Sequence, residues 1–160
     1  MIHIYYGNGK GKTSAALGLA LRADGAGKSV YFVSFLKDNS SSERKAKSNI
    51  NFYANPNSVK FLFNMTEQEK ADYSLWVQEA IKNALCSNAD VVILDELLDV
   101  LGLLPDGEAE SFLFDSSREY VITGHVQNDY LFEKADYITF FKKEKHPYDK
   151  GVPARKGIEF

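Results

Sequence analysis

The sequence has 160 residues, a formal net charge of −3 and a hydrophobic fraction of 44%, which suits one globular domain spanning residues 1–160. The negative charge argues against a general nucleic-acid-binding protein, because neutralising phosphates requires a basic face. The single cysteine, Cys86, excludes a disulfide framework and a cysteine-based zinc site. The apolar runs are too short to span a bilayer and no signal peptide is visible, so we expect a cytoplasmic protein without a membrane partner.

The first turn of the chain predicts a phosphate-binding loop. Residues 2–6 favour a strand, residues 13–23 favour a helix, and three glycines lie between them. Glycine lets backbone N–H groups turn inward, and a helix N-terminus adds partial positive charge. Lys12 can reach phosphate oxygens, and the Thr13 hydroxyl can bind Mg²⁺. The alternative is an ordinary glycine-rich turn. The predicted nucleotide-binding residues are Gly7, Asn8, Gly9, Lys10, Gly11, Lys12, Thr13 and Ser14.

The spacing of this loop departs from the common pattern G-x-x-x-x-G-K-[ST]. That pattern would place its first glycine at position 6, which is Tyr6 in this chain. The glycines are Gly7, Gly9 and Gly11 instead. The loop is therefore one residue tighter than the common version, which allows an unusual phosphate pose.

Hydrophobic periodicity predicts alternating strands and helices along the rest of the chain. Residues 29–35 favour a buried strand, and residues 37–49 favour a polar surface loop or, alternatively, a ligand-contacting loop. Thr66 and Glu69 form a capping box that starts a long helix, residues 66–85. Apolar side chains predicted to be buried include Ala16, Leu17, Ala20 and Leu21 on the first helix and Leu75, Trp76, Ile81 and Leu85 on the long helix. The other predicted elements are short strands at 51–54 and 59–63, helices at 97–101, 108–116 and 128–134, strands at 120–124 and 137–141, and a solvated tail at 142–160.

Two carboxylates follow a predicted buried strand, in the segment 90–96. Asp95 can hold Mg²⁺ directly or through water, and Glu96 can complete the metal shell or position a nucleophile. The alternative is that both carboxylates cap a helix. His125 follows the strand at 120–124 and reaches the same sheet edge, either as a surface or capping residue or as a catalyst. The whole pattern predicts an α/β fold, a P-loop (RecA-like) three-layer sandwich with a mostly parallel central sheet.

Several segments together resemble the ATP:corrinoid adenosyltransferases of the bacterial cobalamin pathway. The tight loop at 7–13 and the segment 15–23 are similar to that family's first turn and helix. The other matching segments are 33–37, 92–97, 102–105, 122–124, 133–136 and 145–160. The last of these is the most distinctive. Several positions depart from the family pattern; among them, Ser34 replaces a glutamine, His125 replaces an arginine and Phe63 replaces a tryptophan.

This resemblance implies transfer of the 5′-deoxyadenosyl group of ATP to the cobalt of a reduced corrinoid, with release of triphosphate. It implies that the backbone amides of residues 9–13, Lys12 and Mg²⁺ (or Mn²⁺) hold the triphosphate. Lys12 and Glu96 are then the catalytic residues, and Thr13, Asp95 and Glu96 are the metal ligands. A P-loop NTPase or small-molecule kinase, and a diverged ATP-binding homologue without adenosyl transfer, are the alternatives.

The resemblance also implies how the second substrate is bound. Phe61 and Phe63 match aromatic residues that the family places beneath the corrin, and simple core packing is the alternative explanation for both. A flavodoxin-type protein is the implied reductant of the cobalt, and a homodimer is the implied assembly.

Overall fold

A computed structural model describes residues 1–159 and shows helices around a six-stranded sheet. Phe160, the last residue of the distinctive ending, lies outside the described residues. The strands are β1 (Ile2–Tyr6), β2 (Val30–Ser34), β3 (Asn51–Phe52), β4 (Val91–Asp95), β5 (Glu119–Gly124) and β6 (Tyr137–Phe140). Their order across the sheet is β3-β2-β4-β5-β1-β6, and every neighbouring pair runs parallel. This arrangement confirms the predicted α/β class with a parallel central sheet.

Helices cover both faces of this sheet and give it three layers. The helices are α1 (Lys12–Gly25), α2 (Glu67–Cys86), α3 (Leu97–Val100) and α4 (Asp129–Lys134). On one face, Ala16 and Ala20 of α1 share a buried cluster with Phe32 and Ile93. Side chains from α2, α3 and α4 share the cluster on the opposite face. Every residue of β4 is buried, as expected for a parallel strand covered on both sides.

The ends of the strands position the functional residues. In parallel sheets all carboxyl ends lie at one edge, and the loops that follow β1, β2, β4 and β5 therefore meet there. The register aligns Ser34 with Asp95, and Tyr6 with Gly124. Within residues 1–159, no helix combines the length and apolar character needed to cross a bilayer.

Two predicted elements are wrong. Residues 59–63 form no strand, and Leu62–Asn64 make a single 3₁₀ turn instead. The sheet ends at the two-residue strand β3, so this segment has no ladder to join. The predicted helix at 108–116 is only a 3₁₀ turn, Ala109–Ser111. It stops because Phe112 takes an extended conformation and buries its ring in the core.

Two leucines predicted to be buried are exposed. Leu75 lies two residues after the buried Tyr73, which places it on the opposite side of α2. On α1, Ala16 and Ala20 make the contact with the sheet and Leu21 remains 45% exposed. The capping box that starts α2 is confirmed, since Thr66 and Glu69 exchange hydrogen bonds between side chain and backbone.

Candidate nucleotide-binding site

The glycine-rich loop lies directly on the segment that follows β6, and this contact explains its composition. Gly7 and Gly11 have φ of 111° and 114°, which favour glycine. A Cβ on Gly7 would lie 2.6 Å from the Phe141 carbonyl oxygen, and one on Gly9 would lie 2.8 Å from the same atom. The Gly9 N–H donates to that oxygen at 2.7 Å. The Gly9 amide, one of those predicted to face phosphate, is therefore occupied by Phe141 in this structure.

The next amides form the cradle at the start of α1. Among residues 1–159, the N–H groups from Lys10 to Ser14 donate to no backbone carbonyl, because they belong to the loop and the first turn of the helix. Free amides and the dipole of a 14-residue helix together favour an anion at this point.

Lys12 folds back over the loop. Its buried Nζ donates to the carbonyl oxygens of Gly7 at 2.7 Å and Gly9 at 3.1 Å. Burial lowers the pKa of Lys12, while the nearby Asp99 and Glu96 carboxylates act in the opposite direction. The Lys12 ammonium is thus held by two neutral carbonyl oxygens inside the loop. From this position it can rotate toward a bound anion.

Asp95 is the centre of the hydrogen-bond network beside the loop. It is fully buried and accepts from the hydroxyls of Thr13 (2.9 and 3.1 Å) and Thr123 (2.8 Å). The Lys37 ammonium donates to it at 2.7 Å and to the Thr13 hydroxyl oxygen at 3.1 Å. Burial acts to lower the pKa of Lys37, but Asp95 and Glu96 outweigh that effect and raise it. Asp95 is therefore a buried carboxylate compensated by one ammonium and two hydroxyls.

Glu96 adjoins this network in a strained conformation. Its φ is 66°, in the left-handed region, and its N–H donates to the Thr123 hydroxyl at 2.9 Å. Burial, followed by the charge of Asp95, raises the pKa of Glu96 to about 7. The alternative that both carboxylates cap a helix is wrong, because Asp95 accepts from side chains and Glu96 makes no side-chain cap.

The residues present fit a Mg²⁺ ion that is completed by phosphate. Thr13, Asp95 and Glu96 offer the hard oxygen donors that Mg²⁺ prefers. The buried Ser34 hydroxyl aligns with Asp95 and has no hydrogen-bond partner among residues 1–159. Within the same residues, no group of three His, Cys, Asp or Glu side chains could hold a metal by itself. A site of this kind requires substrate oxygens and water, as is usual for Mg²⁺ bound with nucleotides.

The C-terminal tail lies over the cradle and divides the space above it into two cavities. Lys10 Nζ donates to the Ile158 carbonyl oxygen at 3.1 Å, and the Lys143 N–H donates to Asn8 Oδ1 at 3.0 Å. One cavity of about 220 Å³ is lined by residues 8–14, Glu96, His125, His146, Ile158 and Glu159. The other, about 340 Å³, is lined by Thr13, Ser14, Leu17, Lys37, residues 41–43 and residues 157–159. The tail and the polar loop after β2 are thus parts of the site.

Comparison with known proteins identifies the family. A family model described as ATP:corrinoid adenosyltransferase BtuR/CobO/CobP matches residues 1–160. A corrinoid adenosyltransferase from Escherichia coli K12 is 32% identical, with 100% of this chain and 85% of that protein aligned. The corrinoid adenosyltransferase CobA of Salmonella typhimurium is 31% identical with the same coverage, and a Pseudomonas aeruginosa relative is 31% identical over 98% of this chain and 82% of its own. The chain belongs to the ATP:corrinoid adenosyltransferase family.

The two phenylalanines that the family resemblance assigns to the corrinoid lie on the surface. Phe61 and Phe63 are 70% and 82% exposed. Their rings stack with centroids 5.4 Å apart and planes 8° apart. Simple core packing is therefore wrong as an explanation of either residue. A cavity of about 280 Å³ lies between residues 56–65 and α2 and is lined in part by Trp76, but neither phenylalanine lines it.

The structure adds three residues that the sequence reasoning did not assign to the site. Thr123 and Lys37 bind Asp95, and Asp99 binds His125. Thr123 is the penultimate residue of β5, and Lys37 follows β2. The rule that ligands bind at the carboxyl ends of parallel strands would have singled out both. Asp99 lies inside α3 and gives no such signal.

Proposed function

We propose that this member of the adenosyltransferase family transfers the 5′-deoxyadenosyl group of ATP to the Co(I) of a reduced corrinoid. In this reaction the cobalt electron pair forms a bond to C5′, the C5′–O bond breaks, and triphosphate leaves with its electron pair. The family membership across the whole chain carries this proposal. The cradle of free amides beside Asp95 is consistent with it, because the leaving group is a large polyanion.

The protein's contribution is positioning and electrostatics. Co(I) is itself a strong nucleophile, so the site needs no nucleophilic side chain. The N–H groups from Lys10 to Ser14 and the Lys12 ammonium stabilise the triphosphate as its charge develops. Holding C5′ in line with cobalt converts the encounter into an effectively intramolecular step. The tail residues 158–159 line the cavity above the cradle, where they would limit the access of water to the bound substrates.

Thr13, Asp95 and Glu96 are the groups that would hold Mg²⁺ or Mn²⁺. The ion would add positive charge next to the phosphate chain. Lys37 now lies between Thr13 and Asp95 and compensates the same carboxylate. We expect Lys37 to turn toward Glu43, 4.0 Å from its Nζ, or toward phosphate when an ion binds.

The corrinoid is proposed to bind against the exposed pair Phe61 and Phe63. Their stacked rings offer an apolar face to the lower side of the macrocycle, where they would keep an axial ligand away from cobalt. A flavodoxin-type reductant and a homodimeric assembly belong to the same proposal.

Product analysis tests the proposal. The protein is incubated with ATP, Mg²⁺ and a chemically reduced corrinoid, and the Co–C product is followed by its absorption spectrum while nucleotides and phosphates are separated. Adenosylated corrinoid and triphosphate are expected in equal amounts. Lys12→Ala should abolish both products, whereas Lys82→Ala, an exposed lysine on α2, should leave them unchanged.

Other products would support the alternatives. ADP with phosphate or a phosphorylated acceptor, and no triphosphate, would indicate a kinase or NTPase. Normal ATP binding with no Co–C product would indicate a binding homologue without transfer.

A further inference from the structure

His125 directly follows β5, and the carboxylate of Asp99 in α3 orients it. Its backbone N–H donates to both Asp99 oxygens, at 3.0 and 3.2 Å, and its ring Nδ1 lies 3.0 Å from Asp99 Oδ2. The Asp99 side chain is 14% exposed, whereas that of His125 is 56% exposed. With Nδ1 engaged by Asp99, Nε2 is the ring nitrogen that remains for a ligand.

The imidazole lines the cavity above the phosphate cradle, together with Lys12 and the loop amides. The charged and titratable groups around it are Asp99 from α3, Glu96 from the end of β4, Lys10 and Lys12 from the loop, and His146 and Glu159 from the tail. The hydrogen bond to Asp99 raises the pKa of His125, while partial burial and Lys12 lower it. The cationic form is thus favoured by the carboxylate that fixes the ring.

We propose that His125 is a phosphate-binding residue of this enzyme, donating from Nε2 to the triphosphate chain while Asp99 orients the ring. This inference rests on the proposed function, because it takes the cavity to be the triphosphate site. A histidine with only a surface or capping role would not need its ring held by a half-buried carboxylate beside an anion cradle. Asp99 acts through His125 and is a positioning residue.

The consequence is a binding affinity that depends on pH near neutrality. A charge-assisted hydrogen bond to phosphate is stronger than a neutral one, so loss of the imidazolium should weaken triphosphate binding roughly tenfold. Binding a polyanion next to His125 further favours its protonated form, so the complex should take up a proton when it forms.

Calorimetric titration of the intact protein with sodium tripolyphosphate tests this. Wild type and the variants His125→Arg and His125→Gln are compared between pH 6.5 and 8.5, in two buffers of different ionisation enthalpy. Wild-type affinity should fall roughly tenfold over this range. His125→Arg should lose less affinity than wild type over this range, because the charge at position 125 is then fixed. His125→Gln should be weak throughout. The phosphate ligand and Glu96 also titrate in this range, and the His125→Arg profile measures their combined contribution.

Proton uptake distinguishes a binding role from a structural one. Wild type should take up more protons per tripolyphosphate bound than His125→Arg or His125→Gln at the same pH. Asp99→Asn should shift the midpoint of the wild-type pH profile to lower pH, because the ring loses its carboxylate. Thermal melts of all variants establish that each one is folded.

Equal affinity of His125→Gln and wild type at pH 6.5, or equal pH dependence of His125→Arg and wild type, would overturn the inference. Lys12→Ala separates the two proposals. If Lys12→Ala loses tripolyphosphate binding and His125→Gln does not, only the role of His125 is refuted. If wild type binds no tripolyphosphate and forms no Co–C product, the proposed function fails as well.

Discussion

Replacing Thr123 by valine would test the hydrogen-bond network around Asp95. Thr123 is fully buried at the end of β5. Its hydroxyl donates to Asp95 Oδ1 at 2.8 Å and accepts from the Glu96 N–H at 2.9 Å. Valine has nearly the same shape and can make neither bond. The substitution therefore removes two hydrogen bonds with almost no change in packing volume.

The expected loss follows from these two contacts. A hydrogen bond to a charged group contributes about 1.5–3 kcal/mol, and a buried amide left without a partner costs about 1–3 kcal/mol. Asp95 keeps Thr13 and Lys37 as partners, so neither of its oxygens is left without a donor. We expect Thr123→Val to lower the free energy of unfolding by about 2–4 kcal/mol. For a chain of this size, that corresponds to a decrease in Tm of about 5–15 °C.

Urea denaturation of Thr123→Val beside Thr123→Ser measures this directly. The serine variant keeps the hydroxyl and loses one methyl group, so its loss should stay below about 1.5 kcal/mol. The m-value should be unchanged, because the substitution alters little buried area. Equal destabilisation by valine and serine, or a valine variant within about 1 kcal/mol of wild type, would refute the assigned network.

Three other substitutions probe the rest of the site. Burial raises the pKa of Glu96 to about 7, so the folded protein favours the protonated side chain. The stability that this preference contributes is fully present below the ordinary glutamate pKa and is lost as pH rises through 7. Glu96→Gln should therefore exceed wild type in unfolding free energy at pH 8 in EDTA by roughly 1–3 kcal/mol, and the gap should close near pH 5; a gap independent of pH would contradict this. Lys37→Met should lower the free energy of unfolding in EDTA by roughly 2–4 kcal/mol, because Asp95 loses its cation. Mg²⁺ should restore part of this stability. Identical melts of the variant with and without Mg²⁺ would argue against an ion at Asp95. Because Phe61 and Phe63 are exposed, the double variant Phe61→Ala with Phe63→Ala should keep its free energy of unfolding within about 0.5 kcal/mol of wild type. Its corrinoid binding should weaken in an absorbance titration. A large loss of stability would show that the pair packs in the fold.

The sequence alone predicted the features that depend on local backbone. Glycine spacing between an apolar strand and a helix requires a tight turn with inward amides, and the structure places positive φ at Gly7 and Gly11. The apolar run that ends in Asp95 predicted a strand covered on both faces, and every residue of β4 is buried. Hydrophobic periodicity and turn-forming residues involve neighbours within a few positions of the chain, so they can be recognised without knowing the rest of the fold.

Tertiary structure decided which distant residues meet. Thr123 and Lys37 lie 28 and 58 positions from Asp95 in the chain, and the order of β2, β4 and β5 brings them to one carboxylate. The contact of the loop with Phe141 depends in the same way on β6 lying beside β1. No local pattern encodes such pairings, because strand order results from packing the whole chain. The sequence thus determined that a tight glycine-rich turn leads into α1, and the sheet decided which side chains surround it.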